Sequence, residues 1–265
     1  MHKVAFYADI FYNSELSPAY WIPPANLDVE AIVLGGDIHY SPRGLGDMLA
    51  EMRRQQGGTP IIVVPGNGEY LGQELGESRR QYRAAVAAVE NATFLDEETI
   101  VLPTGLRIIG STLWSQVAED QIDHYGQMLA EYGLKGVDDI RLGERYLTLR
   151  DTNDLHAAAR EFIASELRCL SEADRGETIV CTHFWPTLRP WQDQPDDPES
   201  KWLQMTGSDL DDLIAESGPR YWLCGHAHTT HQVTIGTTTV WSNPRAGDGP
   251  GHVNPEFADS LVVEL

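Results

Sequence analysis

The segment Ala31-Ile32-Val33-Leu34-Gly35-Gly36-Asp37-Ile38-His39 restricts the possible folds more than any other part of the chain. Four apolar residues in succession suit a strand buried on both faces, and the Gly-Gly pair permits a sharp turn that leaves an acid just past the strand end. The pattern recurs. Val4 to Ala8 runs into Asp9, and Ile61 to Val64 runs into Pro65-Gly66-Asn67. Ile179 to Thr182 delivers His183, and Tyr221 to Cys224 runs into Gly225-His226-Ala227-His228. Apolar strands that each end in a metal-binding side chain predict ligands gathered along one edge of a sheet.

The 265 residues, 42% of them apolar, suffice for one large α/β domain spanning 1–265. Nineteen Lys and Arg against 40 Asp and Glu give a formal charge of -21, which would repel nucleic acid and anionic membrane. Cys169, Cys181 and Cys224 form no C-x-x-C pair, and two of them sit in apolar runs, as expected of core thiols in a reducing compartment. The first strand starts at once, without a signal-peptide pattern, and no apolar run approaches about 18 residues. A soluble, cytoplasmic protein is expected.

Along the chain, Ser41-Pro42 reads as the cap and first position of a helix carrying Leu45, Met48, Leu49 and Met52, stopped at Gly57-Gly58. A second helix follows Asn67, with Leu75, Tyr82, Val86 and Val89 on one face. Alternating strands and helices predict a layered α/β fold with right-handed crossovers. Thr99–Leu102 and Leu106–Ile109 read as a hairpin about Pro103-Thr104-Gly105. Residues 116–150 read as an inserted helical cap, and a longer helix is expected over about 152–172. The Pro-, Trp- and Asp-rich stretch 184–207 has the length of a lid or binding loop. Ser208 and Asp211 suggest a capping box for a short helix ending at Gly218, and strands at 230–235, 238–242 and 260–265 close the chain.

Asp9, Gly36-Asp37, Gly66-Asn67-x-Glu69, His183 and Gly225-His226-x-His228, in this order on strand ends, resemble the calcineurin-like metallophosphoesterase superfamily. Ser242-Asn243-Pro244-Arg245-Ala246-Gly247 is similar to the N-P-R-G segment of one bacterial branch. The resemblance implies a four-layer α/β/β/α sandwich of two facing mixed sheets flanked by helices. It also implies one or two divalent ions (Mn, Fe, Zn or Mg) and hydrolysis of a small phosphomonoester or phosphodiester through a metal-bound hydroxide. By the family's pattern Asp37 bridges two ions. Asn67, His183 and His226 complete one site with it, and Asp9 and His228 belong to the other.

Two positions depart from the family. Phe11 stands where D-x-H has a histidine ligand, and Gly68 stands where G-N-H-[DE] has a histidine that assists the leaving group. A phenyl ring cannot coordinate a cation, and a missing proton donor costs roughly 10²- to 10⁴-fold with poor leaving groups. His39, two residues past Asp37, is the candidate stand-in, and restoring both histidines is expected to raise turnover. Glu69 can orient the metal loop from behind or stay solvated, and Arg245 can bind substrate phosphate or serve a structural ion pair. Two functions follow: a phosphoesterase with an atypical, weakened centre, or a degenerate family member acting as a binding or scaffolding module.

Overall fold

The structure is a computed structural model that describes residues 1–10, 21–191, 207–246 and 253–265. β1 (Lys3–Tyr7), β2 (Ala31–Gly35) and β3 (Ile61–Val64) form where the apolar runs lie, and β2 and β3 are buried at every residue. With β4 (Ala92–Phe94) they make a parallel array, to which β13 (Val262–Glu264) adds antiparallel beside β1. The second sheet runs in the order β11 (Gln232–Ile235), β12 (Thr238–Ser242), β10 (Tyr221–Cys224), β9 (Thr178–Thr182), β6 (Arg107–Ser111), β5 (Glu98–Val101). Its central pairs are parallel, and its two edge pairs are antiparallel.

Side-chain alternation along these strands divides the apolar residues among three cores. Val4, Phe6, Val33 and Val64 meet Ile108, Ile179, Cys181 and Leu223 between the sheets. The opposite face of the first sheet packs under α1 (Pro42–Gln56) and α2 (Leu75–Ala87), where Tyr7, Leu34 and Val63 join Leu45, Met48 and Tyr82. The outer face of the second sheet lies under α4 (Leu149–Arg168) and α6 (Asp211–Ser217), where Val180 and Trp222 join Ile163, Leu167 and Ile214. Four layers result, with two mixed sheets flanked by helices.

Local chemistry sets the helix ends. Ser41 Oγ accepts from Gly44 N at 3.1 Å, Pro42 opens α1, and Gly57 at φ 62° closes it. α4 starts earlier than its apolar spacing predicts, because Thr148 and Asp151 form a capping box. The box expected at Ser208 does not form. Ser208 Oγ instead donates to Trp185 O at 3.1 Å, tying it to the loop behind β9, and α6 begins after Leu210. Gly218, at φ 55°, ends that helix as expected.

Between β6 and α4 the expected cap contains α3 (Ile122–Glu131), 3₁₀ turns at Glu119–Gln121 and Val137–Asp139 and a ribbon of β7 (Arg141–Leu142) with β8 (Arg145–Tyr146). A short α5 (Glu172–Gly176) precedes β9. Most of the lid-like stretch, residues 192–206, lies outside the described residues, as does Phe11. Among the described residues no helix is long and apolar enough to cross a membrane.

Candidate metal centre

β1, β2 and β3 are parallel neighbours in one sheet and β9 and β10 in the other, so within each sheet the ligand-bearing loops leave the same end. The donors meet in the seam between two sheets, not along one edge. The loop backbones are unusual: Asp9 (φ 52°), Asp37 (φ 55°), His226 (φ 67°) and His228 (φ 55°) are all left-handed without being glycine. Such strain persists where the surroundings fix it, and it gathers at functional sites. Gly36, at φ 90°, is required because a Cβ there would run into the His183 ring.

His183 is fully buried, and its Nδ1–H donates to Gly35 O at 3.0 Å, which turns the Nε2 lone pair toward the seam. That Nε2 lies 3.1 Å from Asn67 Oδ1, 3.1 Å from His226 Nδ1 and 3.4 Å from Asp37 Oδ1. Asn67 Nδ2 donates to Asp138 Oδ2 at 2.8 Å, so the amide presents its oxygen to His183. The donor atoms of Asp37, His183 and His226 all fall within 4.8 Å of one another. Acceptors so close repel unless a cation sits among them, and this donor set fits a divalent ion.

The second half involves Asp9 and His228. Asp9 Oδ2 accepts from His226 N at 2.9 Å, while Oδ1, buried, has no hydrogen-bond partner among the described residues and lies 3.5 Å from His228 Nε2. A buried carboxylate oxygen left bare is costly, and a cation beside His228 would satisfy it.

Charge follows the same logic. Burial pushes Asp9 up to about 8, against the opposing pull of His183. Burial alone would lower His183, but Asp37 and then Asp9 push it up to about 10. Asp37 resists its own burial through His183 and is held below the usual carboxylate range. Burial, then the His183 charge, keeps His226 far below the usual imidazole value. The cluster demands positive charge, which metal ions would supply in place of a proton.

The surrounding residues have distinct places. Glu69 is buried with its carboxylate on the backbone, accepting from Gly66 N and Ile38 N at 2.7 Å, Asp37 N at 3.0 Å and His39 N at 3.3 Å. It ties the Asp37 loop to the Asn67 loop. His39 does not join the donor cluster; its Nδ1 accepts from Ser41 N at 3.0 Å and its ring packs on Gly44 of α1, where burial brings it down to about 4. Arg245 N donates to Ala8 O and Ala246 N to Asp9 O, both at 2.9 Å, which sets this segment beside the Asp9 loop. Gly68 N donates to Asp37 Oδ1 at 2.6 Å, and a Cβ at 68 would fall 2.8 Å from that same oxygen. A side chain at 68 would therefore press on the Asp37 carboxylate, which bears against the expected gain from restoring both histidines. Asp138 escaped sequence reading because nothing in its acidic turn points to a residue on another loop.

A family model for calcineurin-like phosphoesterases matches residues 2–230. The chain belongs to this family. Calcineurin-like phosphoesterases are hydrolases that typically bind divalent metals, and the cluster at Asp37 is a possible ligand set of that kind. An uncharacterised protein of Acanthamoeba polyphaga mimivirus is 25% identical over 216 residues, covering 77% of this chain and 73% of that protein. Among solved structures, the phosphopantetheinyl hydrolase PptH of Mycobacterium tuberculosis superposes with a TM-score of 0.62 at 15% identity, covering 91% of this chain and 88% of that one. TT1561 of Thermus thermophilus gives 0.53 at 13% identity, covering 92% and 89%. At these identities the two structures speak to the fold alone.

Proposed function

We propose that the chain is a metal-dependent phosphoesterase hydrolysing a small phosphomonoester or phosphodiester. Asp37, Asn67, His183 and His226 would hold one divalent ion, with Asp37 shared toward a second held by Asp9 and His228. The observation that supports this most is the convergence of His183 Nε2, Asn67 Oδ1, His226 Nδ1 and Asp37 Oδ1 within a buried seam. Divalent ions bound there would polarise phosphoryl oxygens and lower the pKa of water, the chemistry that phosphoester hydrolysis needs at neutral pH.

The chain's own groups would do the rest. Gly35 O and Asp138 orient His183 and Asn67, while Gly68 N–H and the Glu69 carboxylate hold the Asp37 loop. Arg245, whose backbone is bonded beside the Asp9 loop, would bind the substrate phosphate. His39 packs against the start of α1 and stands outside the donor cluster. With no side chain at 68, the centre is weakened toward poor leaving groups. Manganese, iron or zinc suit its nitrogen and oxygen donors better than magnesium.

Elemental analysis after equilibration with excess Mn²⁺ and desalting, paired with hydrolysis of phenyl phosphate, tests this reading. One or two ions per chain with turnover is the expected result. No retained ion and no turnover in folded protein would overturn it in favour of a binding or scaffolding module.

A further inference from the structure

A pocket of about 110 Å³ adjoins the candidate metal centre, and Asn67 and His226 form part of its wall. We propose that it receives the group esterified to phosphorus, and that this group is uncharged, apolar and about the size of one six-membered ring. The inference rests on the phosphoesterase reading above and adds the substrate class.

Position, lining, volume and charge agree. Phe184 lies against His226 with ring centroids 4.1 Å apart, and Trp114 stacks on Phe184 at 5.8 Å, so an aromatic surface runs directly from a metal donor into the pocket. Tyr125 and Leu129 of α3, with Leu134, close it from the inserted segment. At about 110 Å³ the pocket is of the order of the roughly 150 Å³ apolar cavities that take up benzene, which suits a single ring or a short branched alkyl group and leaves little room for a fused pair. No Lys or Arg lines it among the described residues, and Asp138 does, so a second anionic group on the substrate would meet repulsion.

The pocket is also built under strain. Leu113 (φ 70°) and Trp114 (φ 56°) are consecutive left-handed residues, an arrangement L side chains rarely adopt. The buried His156 ring holds their carbonyls, at 3.2 Å from Leu113 O and 3.4 Å from Trp114 O. Trp114 Nε1–H is buried with no hydrogen-bond partner among the described residues, a further cost carried by this segment.

Gly68 points the same way, because no side chain there can protonate the departing oxygen, which favours esters of acidic alcohols such as phenols. In the hydrolysis a water oxygen bonds to phosphorus and the P–O bond to the ring breaks. The phenolate leaves with the electron pair, and solvent takes the proton from water.

Calorimetric titration of the full Mn²⁺-equilibrated chain with phosphonates reads the pocket without turnover. Phenylphosphonate is expected to bind about 10- to 100-fold more tightly than methylphosphonate, from burial of one ring. 4-Carboxyphenylphosphonate and 1-naphthylphosphonate should lose that gain. Leu129→Trp, filling the pocket from α3, should bring phenylphosphonate down to the methylphosphonate level. Equal binding of phenyl- and methylphosphonate to the unaltered chain overturns the proposal. If phenyl and methyl phosphates are hydrolysed without that preference, the pocket assignment fails while the phosphoesterase reading stands. Phenyl-selective binding without hydrolysis supports the pocket and removes the catalytic reading. A folded chain that binds no phosphonate and hydrolyses neither ester overturns both.

Discussion

On one side of Asp37 stand Asn67, His183 and His226; on the other stand Asp9 and His228. The first group is locked from behind: His183 by Gly35 O, Asn67 by Asp138, and the loop that carries Asp37 by Glu69. The second group is built differently. The Asp9 side chain is fully buried with one bare oxygen, while the His228 side chain is 48% exposed. Both groups come from strand ends of the same type. A strand end decides where a donor stands, whereas the hydrogen bonds behind it decide where its lone pair points.

Separating the two groups by mutation gives the largest expected effect. Asp37→Ala removes the shared carboxylate and should abolish both metal retention and hydrolysis, whereas Asp9→Ala should cost one ion and leave the other. Metal content per chain, measured on both variants after the same Mn²⁺ treatment, checks this. Identical residual metal in the two would erase the distinction between the halves.

Glu69→Gln comes next. The substitution puts amide hydrogens against peptide N–H groups that now share a carboxylate, loosening the Asp37 and Asn67 loops together. Loss of an outer hydrogen-bonding partner commonly lowers metal affinity about 10- to 100-fold. A Mn²⁺ titration showing no weakening would mean that Glu69 only fills space.

How much of this was legible beforehand depends on the range of the signal. The strand ends were readable because an apolar run and the residue after it are neighbours in sequence, and the cap at Ser41 and the stop at Gly57 are equally local. The orientation of the donors was not. Asp138 sits on an irregular turn, at φ 52°, and meets Asn67 across 71 positions of chain. No periodicity marks such a pair. Ser208 shows the converse error, since its cap-like spacing to Asp211 was overruled by a contact with Trp185 that only the folded loop creates. The division of the strand ends between two sheets was likewise invisible to strand patterns and came only with the family resemblance.

Gly68→His sharpens the comparison from the shared residue. If the empty position were a simple loss, histidine would restore proton donation and raise turnover on alkyl esters. The Asp37 carboxylate already occupies the space a Cβ would need, and it takes the Gly68 N–H as a hydrogen-bond donor. The expected outcome is a drop in Mn²⁺ affinity of about 10-fold, the lower end of the range for disturbing a ligand's support, with turnover falling alongside. A gain in turnover with unchanged metal content would show that Asp37 yields more readily than its packing implies.

The smallest effect is expected at Asp138, and it bears on one half alone. Asp138→Ala removes the acceptor that fixes the Asn67 amide, so the Asn67 oxygen no longer has one enforced direction. Affinity for the ion at His183 and His226 should fall by less than about 10-fold, while the Asp9 and His228 half should not respond. Asp138→Asn provides the control, because its carboxamide oxygen can still accept from Asn67 Nδ2 while the negative charge is gone. Recovery of affinity in the Asn variant would assign the role to hydrogen-bond direction. Equal loss in both variants would assign it to the charge Asp138 adds to the seam, and the two halves would then differ in electrostatics more than in the support behind their donors.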